Sequence, residues 1–399
     1  MPNILPMMIA SAGAAGGGAA NTPFTAYYYG IWGRNSSGQM GQGNTTVLSS
    51  PVQIGDHVWN YIQSSDYGES TVHMGGIKTD GTLWMWGQNN KGQLGVGDTT
   101  DRCSPVQVGS LTDWRQLGFD GNEGFSTYAI KSDGTIWCWG YGGAANSEGS
   151  LGLGAQTTSY SSPVQIGSLT DWGDGEFSIE NNQRLGAGVG QMNVIKSDGT
   201  MWGWGQNDKG QLSDGSKTAR NSPVQAVGGG TAWNIFVTSD EGVCAIDTDG
   251  KLWSWGRNGD GQLGLGDTTN YSSPQQIGSA ADWVLISGTR SARAAINSSG
   301  ELYTWAANND GKLGLGDETS RCVPTQVGSL TDWKYVNIST AGMTAVKTDG
   351  TGWAWGNGRE TPFDSITNYS SPVQIGSRTD YTWASKLSSG GLIASSATI

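Results

Sequence analysis

Apolar and polar positions alternate in short runs along nearly the whole chain, the period-two pattern of half-buried strands. In Trp84-Met85-Trp86 and Trp253-Ser254-Trp255 the tryptophans stand two apart and so share one face of a strand. The motif WxWG, or its remnant, ends at Trp32, Trp86, Trp139, Trp204, Trp255, Trp305 and Trp355, recurring about every 54 residues. A proline motif of the SPVQIG type follows each, at Pro51, Pro105, Pro163, Pro223, Pro274, Pro324 and Pro372. Together these define seven units.

Within one unit, residues 333 to 376, the pattern predicts four strands: Trp333 to Ile338, Thr344 to Lys347, Gly352 to Trp355, and the SPVQIG segment. Asp349-Gly350 separates the second from the third. Asp80-Gly81, Asp133-Gly134, Asp198-Gly199, Asp249-Gly250 and Ser299-Gly300 are its equivalents. Such pairs predict two-residue hairpin turns with both central residues at positive φ. Four strands in a unit of this length describe an all-β chain, a seven-bladed β-propeller of four-stranded blades. The start of the chain supplies only third and fourth strands, from 25 onward, and the end only first and second. One blade shared between the two ends would close the ring over residues 25–399 and hide its edges.

The markers WxWGxNxxGQLGxGDTT and SPVQ, best seen at 89–95, 258–264 and 309–314, give the units a character of their own. They resemble the repeats of the regulator of chromosome condensation family over residues 26–399. The resemblance implies a propeller. Its best-known member is a nucleotide-exchange factor that acts on a small GTPase and docks on chromatin through basic surface. Here residues 1–33 contain no charged side chain, which departs from that pattern. Function sits in sites grafted on a fold, so the repeat alone does not supply it.

Composition narrows the classes. The chain has 65 glycines and 19 tryptophans in 399 residues, which suits tight turns between packed strands and excludes a long helical protein. No apolar run is long enough for a membrane-spanning helix. The net charge of −12 supplies no basic face, so neither nucleic acid nor an anionic lipid surface is an expected partner. Cys103, Cys138, Cys244 and Cys322 show no zinc spacing and are expected as free thiols, which suits a cytosol or an intracellularly assembled particle. The Gly-x-Gly pairs at 95–97, 264–266 and 314–316 lead into turns and not helices, which argues against dinucleotide binding. Asp98, Asp267 and Asp317 are instead expected to order their own loops. His57 and His73 are read as surface residues. No catalytic, cofactor or metal constellation is assigned, and the chain is expected not to be an enzyme.

The repeats differ in two places. From the tryptophan opening a unit to its turn glycine there are 17 residues in the units of Trp233, Trp283 and Trp333, but 22, 20 and 27 in those of Trp59, Trp114 and Trp172. The surplus is expected between first and second strands, at 63–74, 117–127 and 174–190, with a further expansion at 141–150. All of it would then emerge on one sector of one face. The candidate ligand or partner residues there are Asp66, Tyr67, Glu69, Phe119, Asp120, Glu123, Phe125, Tyr141, Phe177 and Glu180, aromatics beside polar groups that suit a host-surface glycan or a protein. The second departure is the uncharged, Ala/Gly-rich segment 1–24. It lacks the cation of a secretion signal and reads as an anchor, with Ile4, Leu5, Met7, Met8 and Ile9 docking to other virion proteins. These features favour a bacteriophage virion component: a decoration, tail or fibre protein. The alternative is a soluble protein-binding propeller, either an inhibitor-like binder or a GTPase exchange factor.

Overall fold

A computed structural model describes residues 30–33, 35–54, 59–65, 73–120, 125–142, 149–154, 158–173, 184–229, 232–239, 241–338, 342–358, 367–377, 379, 381–387 and 390–395. The expected strands are present. They form six four-stranded antiparallel sheets, each ordered first to fourth strand, and two two-stranded sheets. Sheet one comprises Trp59–Ser64, His73–Lys78, Leu83–Gly87 and Arg102–Gln107. Sheet two comprises Trp114–Phe119, Ser126–Lys131, Ile136–Gly140 and Tyr160–Gln165, and sheet three Leu185–Ala187, Gln191–Ile195, Met201–Gly205 and Arg220–Gln225. Sheets four, five and six span Trp233–Gln276, Trp283–Gln326 and Trp333–Gln374. The two-stranded sheets pair Gly30–Gly33 with Leu48–Gln53, and Tyr381–Leu387 with Gly390–Ser395. These are the strand types expected of the two halves of a shared blade. The one helical element among the described residues is a single 3-10 turn, Asn309–Gly311, so no described helix is long and apolar enough to cross a membrane.

Each sheet packs its face on the next, as propeller blades do. The repeat motifs build these interfaces. The second tryptophan of WxWG is fully buried and donates its indole N–H to a backbone carbonyl of the preceding unit: Trp86 to Gln39, Trp139 to Gln93, Trp204 to Ser150, Trp255 to Gln211, Trp305 to Gln262 and Trp355 to Lys312, at 2.7–3.0 Å. Two residues past that carbonyl comes a close-packed glycine in five of these six contacts, and Ser213, at φ +56°, in the sixth. A Cβ on Gly95, at φ +70°, would lie 2.7 Å from the Trp139 indole nitrogen. The GQLG motif is thus a clasp between sheets. The proline motif lies in the outermost strand, where a missing N–H costs no ladder bond, and Pro helps to blunt an exposed edge.

The hairpin turns depart from expectation. Gly81 has φ +79°, but Asp80 is not in the left-handed region. Gly81 N–H bonds Lys78 O at 2.9 Å and Lys78 N–H bonds Thr82 O at 3.0 Å, so the loop has three residues and only its glycine needs positive φ. The aspartate braces the loop through its side chain. Asp80, Asp133, Asp198 and Asp349 each accept from the backbone and hydroxyl of the threonine two residues on. Those threonine hydroxyls in turn accept the indole N–H of Trp84, Trp137, Trp202 and Trp353.

The longest insertion is also placed differently. In sheet three the first strand is Leu185–Ala187, and it reaches the second through a short turn in which Gly188 N–H bonds Gln191 O. Trp172 still bridges Lys196, as Trp114 pairs Lys131 in sheet two. The chain therefore leaves the strand after Gly173 and rejoins it at Arg184. In the other sheets the register shifts at this point, between Trp114 and Gln116 for example. The break therefore lies near the start of the first strand, at the end away from the Gly188–Gln191 turn, and the connection from Ala187 to the second strand is short.

Candidate functional site

Of the proposed contact residues, Asp66, Tyr67, Glu69, Glu123, Phe177 and Glu180 lie outside the described residues, as do Ile4, Leu5, Met7, Met8 and Ile9. The remaining four are placed by the ends of sheet two.

Phe119 ends the first strand with its side chain in the core between sheets one and two, beside Leu117, Ala129 and Trp139. Its ring meets the His73 imidazole edge-on at 4.7 Å. Asp120 is buried and accepts a bond from Gly190 N–H of sheet three at 3.3 Å. Both are interior residues and present no open surface. His73 is likewise fully buried, contrary to the surface expectation. Thr127 Oγ1 donates to Gln93 O at 2.8 Å, so the 3.0 Å contact from His73 Nε2 is the imidazole donating to that hydroxyl. The alternation of that strand places His73 inward, and a lone polar residue gives the sequence no sign of it.

Phe125 and Tyr141 come together at the surface. Both are half-buried, with ring centroids 6.1 Å apart and nearly perpendicular. Tyr141 N–H bonds Phe125 O at 2.9 Å, and Ser126 Oγ donates to Tyr141 O at 2.8 Å, so one backbone bond and one hydroxyl bond fix the pair. Gly140, at φ +97°, permits this approach because a Cβ there would stand 2.1 Å from Phe125 O. Lys91, from the clasp loop of sheet one, sets its ammonium 5.0 Å from the Tyr141 ring and 5.9 Å from Phe125. Asn89 organises that loop. Its side chain accepts from Leu94 N–H and donates to the carbonyls of Asp98 and Thr100. Sequence reasoning misses Lys91, since nothing local indicates that it reaches two aromatics of the next unit.

Other chemistry is muted. Asp98, Asp267 and Asp317 accept from the backbone N–H of Thr100, Thr269 and Thr319, which holds each carboxyl below its ordinary range and orders its loop, as expected. All four cysteines are free. Burial pushes the Cys138 thiol up and that of Cys244 up to about 12, so neither supplies a thiolate at neutral pH. Among the described residues no group of three His, Cys, Asp or Glu is placed to hold a metal ion. The surface therefore offers rigid aromatic area and a cation, the materials of a binding contact.

The family model of the regulator of chromosome condensation (RCC1) repeat matches residues 80–118, 249–291 and 299–345. The chain carries RCC1 repeats. Among curated relatives, E3 ubiquitin-protein ligase HERC2 of Mus musculus is 29% identical over 246 residues, which are 61% of this chain and 5% of that protein. Ultraviolet-B receptor UVR8 of Arabidopsis thaliana is 27% identical over 244 residues, 61% of this chain and 52% of the receptor. The chain thus spans a small part of the first and about half of the second. Among solved structures, Prp20p of Saccharomyces cerevisiae aligns with TM-score 0.66 and 16% identity, covering 91% of this chain and 88% of that one. Human WBSCR16 aligns with TM-score 0.68 and 18% identity, covering 88% and 94%. These likenesses establish the RCC1 propeller fold.

Proposed function

We propose that this chain is a non-catalytic protein-interaction propeller whose partner contacts the surface formed by Phe125, Tyr141 and Lys91. The observation that carries the reading is the rigid aromatic pair with its cation, built on RCC1 repeats where the connections of sheets one and two are longest. Prp20p, with its described binding properties towards Gsp1p and histones, is a structural likeness in keeping with a protein-binding role. The relatives named above are cellular proteins, so they favour the protein-binding alternative over the virion reading.

The test is affinity capture on the immobilised full chain, followed by reconstitution with the purified partner. Lys91→Glu/Phe125→Ala/Tyr141→Ala should weaken that complex at least about tenfold while the fold persists. Unchanged binding by the folded triple variant refutes this surface. Acceleration of nucleotide release from a purified small GTPase would refine the role to exchange.

The uncharged segment 1–24 supports a second reading, attachment to a larger assembly such as a virion through Ile4, Leu5, Met7, Met8 and Ile9. Deleting 1–24 should then abolish incorporation into density-purified particles and leave folding intact. Retained incorporation removes it.

A further inference from the structure

The interface between sheets three and four differs in kind from its neighbours. Asn193 is completely buried and Gln191, two residues earlier on the same strand, is 1% exposed. The alternation of the strand turns both towards sheet four, as it does Ile195, which packs with Phe236, Val243 and Trp255. All four amide atoms of the two side chains lack a hydrogen-bond partner in the protein. Asn193 stands in register between two glycines, Gly186 and Gly203.

Sheets one, two and six fill the position equivalent to Gly203 with Met85, Cys138 and Ala354, whereas sheets four and five place a hydroxyl in it. There the middle residue of the WxW motif is Ser254 or Thr304, whose hydroxyl donates to the carbonyl of Leu263 or Leu313 in the same unit, at 2.7 Å in each case. In sheet three the equivalent position is Gly203, which has no hydroxyl, and the equivalent loop residue is Leu212. The Asn193 Nδ2 and a Leu212 methyl lie 2.8 and 3.1 Å from where a Gly203 Cβ would stand, so amide and loop meet at this point. An amide buried without a partner is costly, and buried polar groups in native proteins are served by protein or by ordered water.

We propose that Gln191 and Asn193 bind a small cluster of ordered water at the interface of sheets three and four. One water there replaces the Ser254 or Thr304 hydroxyl and donates to the Leu212 carbonyl. A buried water makes about three hydrogen bonds, which two amides and a carbonyl can provide.

The test is a crystal structure of the full chain at about 2 Å or better, paired with stability measurements on two variants. Solvent density within about 3.2 Å of both amides is expected. Asn193→Val, which strips the water of its partner, should lower the folding constant about tenfold. Asn193→Ala/Gly203→Thr, which transplants the Ala294 and Thr304 of sheet five, should displace one water and restore most of the loss. The proposal is overturned if the amides bond directly to protein with no solvent density between them. It is equally overturned if Asn193→Val folds as tightly as the parent. Should the valine variant fail to fold, the wild-type density decides alone.

Discussion

Sheets two and five share the clasp and differ at almost every other functional position. Trp139 donates to Gln93 O at 2.9 Å, and Trp305 to Gln262 O at 3.0 Å. Yet Lys131 of sheet two lies over the rings of Trp114 and Trp137 and pairs with Asp113 at 3.4 Å. Sheet five has Asn297 there, bonded to Glu301, which also accepts from Tyr303. Sheet two carries a longer connection between its first two strands and the Phe125–Tyr141 pair. Sheet five turns tightly, with Thr289 N–H bonding Ala292 O at 2.9 Å. The contrast teaches that the clasp carries the architecture, while the strand ends are free to acquire chemistry.

The largest effects are expected at the two clasps, which should be equal in strength. Gly95→Ala and Gly264→Ala each drive a Cβ against the indole, at 2.7 and 2.9 Å, from φ +70° and +71°. Each should cost about 3 kcal/mol, read from urea midpoints, by combining left-handed strain with lost packing. Gly109→Ala, at φ +60° with nothing within 4 Å, isolates the backbone share and should cost about 1 kcal/mol. A Gly95 loss no larger than that of Gly109 would show that the clasp does not hold the sheets together.

Next in size is the buried lysine. Lys131→Ala should cost about 2 kcal/mol, from a desolvated cation–π contact and its ion pair, with Asn297→Ala costing less. A double-mutant cycle with Asp113→Ala apportions the two contributions. The comparison sharpens at the residue closing WxWG. Sheet two has Gly140 there, and sheet five has Ala306 at φ +84°. Ala306→Gly should therefore stabilise the protein by up to about 1 kcal/mol, seen as a raised Tm, whereas Gly140→Ala destabilises.

The smallest effect is the response to acid. Hydrogen bonds from Thr135, Thr200 and Thr351 hold Asp133, Asp198 and Asp349 below the ordinary carboxylate range. Their contribution is fully present above the unfolded value of about 3.9 and is lost as pH falls through the lower folded values. Urea midpoints should therefore be flat from neutrality to about pH 5 and decline below pH 4. Thr135→Val should flatten that decline slightly.

Much of this is legible in the chain. The tryptophan and proline spacings mark the strands, because a period-two pattern punctuated by glycine has few other readings. What escapes is relational. Asp80 carries the turn signature, but its bond to Thr82 shows that it braces a three-residue loop and does not sit at positive φ. The insertion after Gly173 reads as a loop between strands because Leu185-Gly186-Ala187 is too short and too glycine-rich to announce itself as the true first strand. Phe119 and Phe125 look alike in sequence, yet Phe119 closes the first strand with its ring in the core, and Phe125 stands just before the second strand, half-buried. Lys91 reaches Phe125 and Tyr141 only across a sheet interface.

The measurement that bears most directly on the central claim, that the departures of sheet two from the repeat form the binding surface, is hydrogen exchange of the chain with and without its reconstituted partner. Slowed exchange is expected in peptides covering 88–94 and 125–142, with little change in the opposite-end loops at 109–113, 167–171 and 328–332. Protection confined to those opposite loops would contradict it.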